Sequence, residues 1–254
     1  MWYKSTVLVM LAALFWGISG AIAEILMDKG WNPLVISFYR GFVGFLFFFI
    51  WSLLKWRGQW IPSVRFSLWS ILAGIGVVGN FTFYFLSIEE ASISVSVTLM
   101  YTAPIFTLLT ALLLGFERST PFKWLSVLLV LTGIALLTGL YSLDTDGVSI
   151  RGTFFGLLSG VSYTLFIFSF KKASLIGNPR STLTLAFLAF SLVLFSVMDI
   201  EEALDVLGSG DLGWFVLLGL LGAGISFFIR NLVRLGIGHH VHGLVIQHFF
   251  KMRY

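Results

Sequence analysis

Long apolar runs, broken by short stretches that carry charge, glycine or proline, divide the chain into eight segments of membrane-spanning length. They fall at Thr6 to Leu26, Pro33 to Leu54, Ser67 to Ser87, Ser92 to Gly115, Phe122 to Tyr141, Gly152 to Phe170, Ser181 to Met198 and Leu212 to Ile229. Lipid offers no partners to backbone N–H and C=O groups, so each segment is expected as a helix. The pattern thus predicts an all-α, polytopic transmembrane bundle of about eight helices. Composition agrees: of 254 residues 58% are apolar, 17% aromatic and 11% charged, and mean hydropathy is +0.97. At about 20 residues per span, eight spans take about 160 residues and leave room only for short loops and tails. A soluble catalytic domain is excluded. With no cysteine in the chain, a disulfide framework, thiolate catalysis, thiolate-held zinc and iron–sulfur clusters are excluded as well.

The formal net charge of +4 would suggest nucleic acid as a partner of a soluble protein, but the bases follow loop topology instead. With the amino terminus in the cytoplasm, 13 of the 16 bases fall inside: Lys4, Lys55, Arg57, Arg65, Arg118, Lys123, Lys171, Lys172, Arg180, Arg230, Arg234, Lys251 and Arg253. Lys29 and Arg151 fall outside, and Arg40 lies within a segment. The acids Asp28, Glu89, Glu90, Asp144, Asp146, Asp199, Glu201, Glu202, Asp205 and Asp211 all face outward. The positive-inside rule therefore sets the orientation, and pairs such as Lys55/Arg57 and Lys171/Lys172 read as topology signals beside anionic lipid. Ala21-Ile22-Ala23 has the look of a signal-peptidase site, but its apolar run is long enough to span and only one lysine precedes it. Cleavage would also leave an odd helix count at odds with the charge pattern, so a retained helix is expected.

At an offset of about 145 residues the chain resembles itself: Trp69, Gly74, Gly79 and Phe83 align with Trp214, Gly219, Gly224 and Phe228. The sixth segment then stands where the first does, and the seventh where the second does. Each unit holds five spans, and an odd number forces the second copy to be inverted in the membrane, an architecture used for alternating access. The outside link Asp144-Thr145-Asp146-Gly147 lacks the downstream ligands of a calcium loop and reads as a solvated turn.

Four stretches carry a family resemblance: Leu14-Phe15-Trp16-Gly17, Phe38-Tyr39-Arg40, Met100-Tyr101-Thr102-Ala103-Pro104, and Leu112-Leu113-Leu114-Gly115-Phe116-Glu117-Arg118. Together they span the first repeat and resemble the EamA family of the drug/metabolite transporter superfamily. The resemblance implies ten helices in two inverted five-helix repeats, and export of amino acids or other small metabolites. The first repeat is assigned to residues 6–141 and the second, inverted one to 152–254, incomplete or divergent after about residue 229. There the sequence departs from the pattern, because Arg230 to Tyr254 holds four bases and all four histidines (His239, His240, His242, His248) but no counterpart of Pro104. Three readings stand: a frameshifted or truncated frame, a natural short ninth segment, or a metal site. His-His-Xaa-His without carboxylate or thiolate partners is weak for zinc, and no metal is assigned.

The spans themselves offer candidate site residues. Arg40 lies roughly 10 Å below the outer surface by helix rise and needs a partner there. Glu24, near the outer end of the first segment, would suit a structural ion pair; a substrate carboxylate and snorkelling are the alternatives. Pro104 removes a backbone hydrogen bond mid-segment and predicts a kink, with Ser94, Thr98 and Tyr101 sharing one face of the same helix. Asn80, Tyr84 and Ser87 repeat that spacing in the third segment, as do Ser159, Tyr163 and Phe166 in the sixth, while Trp16 shares a face with Gly20 and Glu24. These faces suit a central aromatic cavity for amphipathic metabolites, and they suit interhelical hydrogen bonding and packing equally. Small residues such as Gly17, Gly41, Gly44, Gly74 and Gly79 read as close-packing faces, not phosphate loops. By resemblance Glu117 is a candidate for closing the cytoplasmic gate, with a surface ion pair to Arg118 or Lys123 as the alternative.

The sequence therefore predicts a secondary transporter, a permease or exporter moving small organic metabolites such as amino acids or drug-like compounds across a bacterial-type cytoplasmic membrane by alternating access. The alternatives are a non-transporting scaffold or receptor-like bundle and a truncated, inactive permease. The expected partners are a small-molecule substrate and the lipid bilayer, with a homodimer as a candidate assembly and no nucleic acid. No cofactor and no catalytic residues are expected, since no His/Asp, Ser/Lys or paired-carboxylate constellation shares a depth within the spans.

Overall fold

The computed structural model describes residues 2–54, 63–115, 120–137 and 149–229, and all regular structure among them is helical. The elements are α1 (Trp2–Asp28), α2 (Pro33–Leu54), α3 (Val64–Glu90), α4 (Ile93–Met100), α5 (Ala103–Leu113), α6 (Pro121–Leu137), α7 (Ile150–Ile176), α8 (Pro179–Phe195), α9 (Ile200–Gly208) and α10 (Leu212–Gly219). A π-helical turn, Leu220–Ile225, continues α10. Six stretches are long and apolar enough to cross a membrane, α4 with α5 counting as one (Ile93–Leu113) and α10 running through the π turn to Ile229. Of the remaining two expected segments, α6 is a shorter apolar helix. The other, α8, ends at Phe195, short of Met198, where the chain turns by 111° into α9. The segment Asp144 to Gly147, Glu117 with Arg118, and the histidine-bearing tail lie outside the described residues.

Local chemistry sets the ends. Ser63, Ser92 and Ser149 accept hydrogen bonds from Phe66 N, Val95 N and Gly152 N at 3.2, 3.3 and 3.4 Å, capping α3, α4 and α7. Asn178 caps α8 ahead of Pro179. Asp199 Oδ1 accepts from Glu201 N and Glu202 N at 2.9 and 3.3 Å, so a new helix starts where α8 stops. α9 is amphipathic: Ala203 and Val206 are buried, whereas Leu204, Asp205 and Leu207 face away.

α3 runs along α7 and α8, α2 packs between α8 and the α10–π segment, and α1 leans on the π turn. Glycines set these approaches. A Cβ on Gly74 would lie 2.3 Å from Ala186 O in α8, and one on Gly219 would lie 2.4 Å from Val43 Cβ and 3.1 Å from Tyr39 O in α2. Without a driving force between lipid and apolar side chains, such backbone approach is a main source of helix association. Between these helices lies an aromatic core, with Phe48, Phe85, Phe166, Phe187, Phe190 and Phe215 fully buried. Phe187 stacks on Phe48 at 5.7 Å and meets Phe227 edge-on at 5.5 Å.

At the α1–α2 turn, Gly30 adopts φ +92°, and Trp31 N donates to Leu26 O at 3.1 Å, closing α1. This turn carries Lys29 and Trp31 to Asp211, which pairs with Lys29 and accepts from Trp31 Nε1 at 3.1 Å. Asn32 N donates to Glu202 Oε1 at 2.6 Å, and Tyr39 Oη donates to Ala203 O at 2.7 Å. The α1–α2 turn is therefore clasped to α9 and to the start of α10. The hydrogen bonds from Lys29 and Trp31 hold the Asp211 carboxyl below its usual range. A depressed carboxyl stabilises the fold above its unfolded value, and that contribution is lost as pH falls through the folded one. Asp211→Asn is accordingly expected to lower Tm slightly at neutral pH and low salt, with the difference from the parent vanishing in acid and shrinking at high salt. A pH series of thermal unfolding curves checks this.

Candidate functional site

The structure sorts the candidate residues into two groups. In the first, polar side chains lock helices together. Asn80 Nδ2 donates to Ser159 Oγ at 3.0 Å and to Ser159 O at 3.3 Å, while Ser159 Oγ donates to Asn80 O at 3.2 Å, fixing α3 on α7. Ser87 Oγ donates to Gly152 O and Ser96 Oγ to Ser87 Oγ, both at 2.8 Å. Thr98 Oγ1 donates back to Ser94 O at 2.8 Å. Asn80→Ala would leave buried Ser159 groups short of a partner and is expected to cost about 1–2 kcal/mol, read as a drop in Tm without a change in oligomeric state.

The helix expected to kink at Pro104 breaks at Tyr101–Thr102, and Pro104 stands in the first turn of α5. Thr102 Oγ1 donates to Leu99 O at 2.6 Å. The break fits against Gly160 of α7, where a Cβ would lie 3.3 Å from Met100 O. Tyr101 is 42% exposed, the most open of the described candidates. Tyr163 packs on Phe166 at 6.0 Å.

In the second group, α1, α2, α3 and the π turn meet around Arg40. Its guanidinium carbon lies 3.9 Å from the Phe81 ring centroid and 5.4 Å from that of Phe85. The expected ion pair with Glu24 is not formed: Arg40 points from α2 onto the α3 rings, and what α1 presents there is Ser19. Half-buried Glu24 stands one turn after Gly20 on α1, and the Tyr84 hydroxyl lies 3.5 Å from where a Cβ on Gly20 would stand.

Trp16 anchors the π turn: its Nε1 donates to Gly222 O at 3.0 Å, and its ring meets Phe227 edge-on at 5.6 Å. Ser226 Oγ donates to Leu221 O within the same turn. Gly222 abuts Arg40, so a Cβ there would lie 2.6 Å from Arg40 Nε and 3.0 Å from Ser19 Oγ. The sequence reading missed the π turn, Gly222, Phe81 and Phe85. The signal available was Gly222-Ala223-Gly224 followed by Ser226, a run without bulk mid-helix, and π turns concentrate at functional positions.

Six apolar spans, one of them broken and one π-turned, around a buried polar centre define a multi-pass helical membrane protein. Residues 4–139 match the family model described as the EamA-like transporter family. The chain belongs to that family, within the drug/metabolite transporter superfamily. Among solved structures it is similar to one titled only "Crystal structure of protein", with TM-score 0.64 and 18% identity over 91% of this chain and 79% of the other. That likeness concerns the fold. No curated protein sequence matches the chain.

Proposed function

We propose that the protein is a secondary transporter that moves small organic metabolites across a bacterial-type cytoplasmic membrane by alternating access, with its amino terminus in the cytoplasm. The observation that carries this reading is the correspondence of Gly74 with Gly219. Each is the point where its span meets a partner backbone, Gly74 on α8 and Gly219 on α2. The repeat offset pairs α8 with α2, so corresponding glycines perform corresponding contacts. That supports two inverted units, residues 6–141 and 152–254, which rock around a shared centre. The outer clasp supports the orientation, because it gathers Lys29, Glu202 and Asp211 at one end of the bundle, whereas Arg65, Lys171, Lys172 and Arg180 stand at the other ends of α3, α7 and α8.

Solute counterflow in proteoliposomes tests the proposal. Labelled solute is expected to accumulate transiently against a preloaded unlabelled pool, with the effect absent from empty liposomes. Binding of solutes without any counterflow, across amino acids, carboxylates and drug-like cations, would replace the transporter with a receptor-like bundle.

A further inference from the structure

Arg40 is 6% exposed and lies about a third of the way along α2, yet its Nε is buried without a hydrogen-bond partner and, among the described residues, it forms no ion pair. Its contacts are the ring faces of Phe81 and Phe85, the backbone at Gly222 and the neighbouring Ser19. A ring face attracts the cation but leaves the N–H edge unused, and a guanidinium carries five donors in a fixed planar fork. A buried donor of an ionised group left without an acceptor is costly to keep. Three helices and the π turn nonetheless converge to hold this one in place.

We propose that Arg40, with Phe81, Phe85 and Tyr84, forms a mid-membrane site for an organic monocarboxylate with an aromatic or apolar body. The planar fork matches two carboxylate oxygens in one plane. A single cation sets the charge at one, because the other described bases stand at the ends of the spans and a phosphate dianion would find no second cation there. The rings of Phe81 and Phe85 hold the guanidinium from one side and make the surroundings of the site apolar. Tyr84, its ring tilted on Phe85 at 5.6 Å, adds a hydroxyl from the same helix. The inference names a solute class for the transport reading and rests on that reading for every step after binding; binding itself is measured apart from flux.

The experiment is calorimetric titration of the purified full chain with phenylacetate, phenylacetamide and phenethylamine, which share a ring and differ in the charge of the head group. Phenylacetate is expected to bind saturably and at least about tenfold more tightly than either analogue, a ratio worth about 1.4 kcal/mol. Arg40→Gln is expected to abolish that preference and Arg40→Lys to weaken it, since lysine keeps the charge and loses the fork. Equal binding of acid and amide by the parent chain, or an acid preference that survives Arg40→Gln, overturns the proposal. Because Arg40→Gln removes an unpaired ion, its Tm without ligand is expected at or above the parent's. A fall of more than about 5 °C would reveal a structural partner and also overturn it. Failure of Arg40→Gln to fold counts as such a fall and overturns the proposal too. Phenylacetate binding without phenylacetate counterflow would sink the transport reading and leave the site standing. Counterflow of other solutes without acid binding would do the reverse.

Discussion

Gly74→Leu is expected to remove the protein from the monodisperse fraction in detergent. A Cβ at this position would stand 2.3 Å from Ala186 O and 3.0 Å from Ala189 Cβ, and a main-chain carbonyl inside α8 cannot step aside as a side chain does. α8 has no room to retreat either, because α2 packs against it as well. Overpacking of a core by single groups costs about 1–3 kcal/mol, and leucine here adds four carbons against backbone. Gly74→Ala is therefore expected to lower Tm measurably and Gly74→Leu to prevent assembly. Gly219→Ala should do less than Gly74→Ala, since its nearest obstacle is the Val43 side chain and Tyr39 O lies farther off, at 3.1 Å. Gly17, with nothing within 4 Å of its would-be Cβ, supplies the control. Gly17→Ala is expected to be neutral, or stabilising by about 0.5–1 kcal/mol through helix propensity. Size-exclusion profiles and melting curves of the four variants test the series; a Gly74→Leu protein that behaves like Gly17→Ala would show that glycine contacts do not set the helix approaches.

Gly222→Ala is expected to cut solute flux by at least about tenfold, a change of about 1.4 kcal/mol in the rate-limiting barrier. The added methyl would lie 2.6 Å from Arg40 Nε and 3.0 Å from Ser19 Oγ. The guanidinium must then slide off Phe81, because the π turn is pinned on its other side by the Trp16 bond to Gly222 O. Folding should suffer less than function, since the obstacles are side-chain atoms and not backbone. A double-mutant cycle with Arg40→Gln isolates the cause. If the alanine acts by displacing Arg40, adding it to Arg40→Gln lowers flux no further; additive losses would place its effect elsewhere.

The apolar runs made most of the bundle legible, but they mark hydrocarbon contact and not helix length. α3 extends from Val64 to Glu90 and α7 to Ile176, past Ser87 and Phe170 where the runs stop, because a helix persists into the headgroup layer while its side chains turn polar. The end of α8 is written in Asp199 with Glu201 and Glu202 in the first turn after it, a capping signal that an acidic loop between spans explains equally well. The depth of Arg40 could be read from helix rise, whereas its neighbours could not. Depth alone made Glu24 the natural partner, but which face of α2 meets α1 and which meets α3 is decided by glycine contacts between distant segments. Thr98 and Asn80 show the same division: their spacing announced a buried polar face, and packing turned it toward α4 itself and toward α7. The π turn has no counterpart in residue preference, since it is a change in hydrogen-bond register and not in composition.

That register change makes the end of the bundle sensitive to counting. One residue of α-helix corresponds to about 100° of rotation, so the extra residue accommodated between Leu220 and Ile225 determines which side chain faces the interior beyond it. As built, Phe227 points among Trp16, Phe166 and Phe187, while Phe228 meets Phe47 and Trp51. Exchanging one apolar side chain for another there leaves this orientation intact, whereas deleting a single residue swings every following position a quarter-turn or more around the axis. Over these six residues, evolution would have to conserve length more strictly than identity.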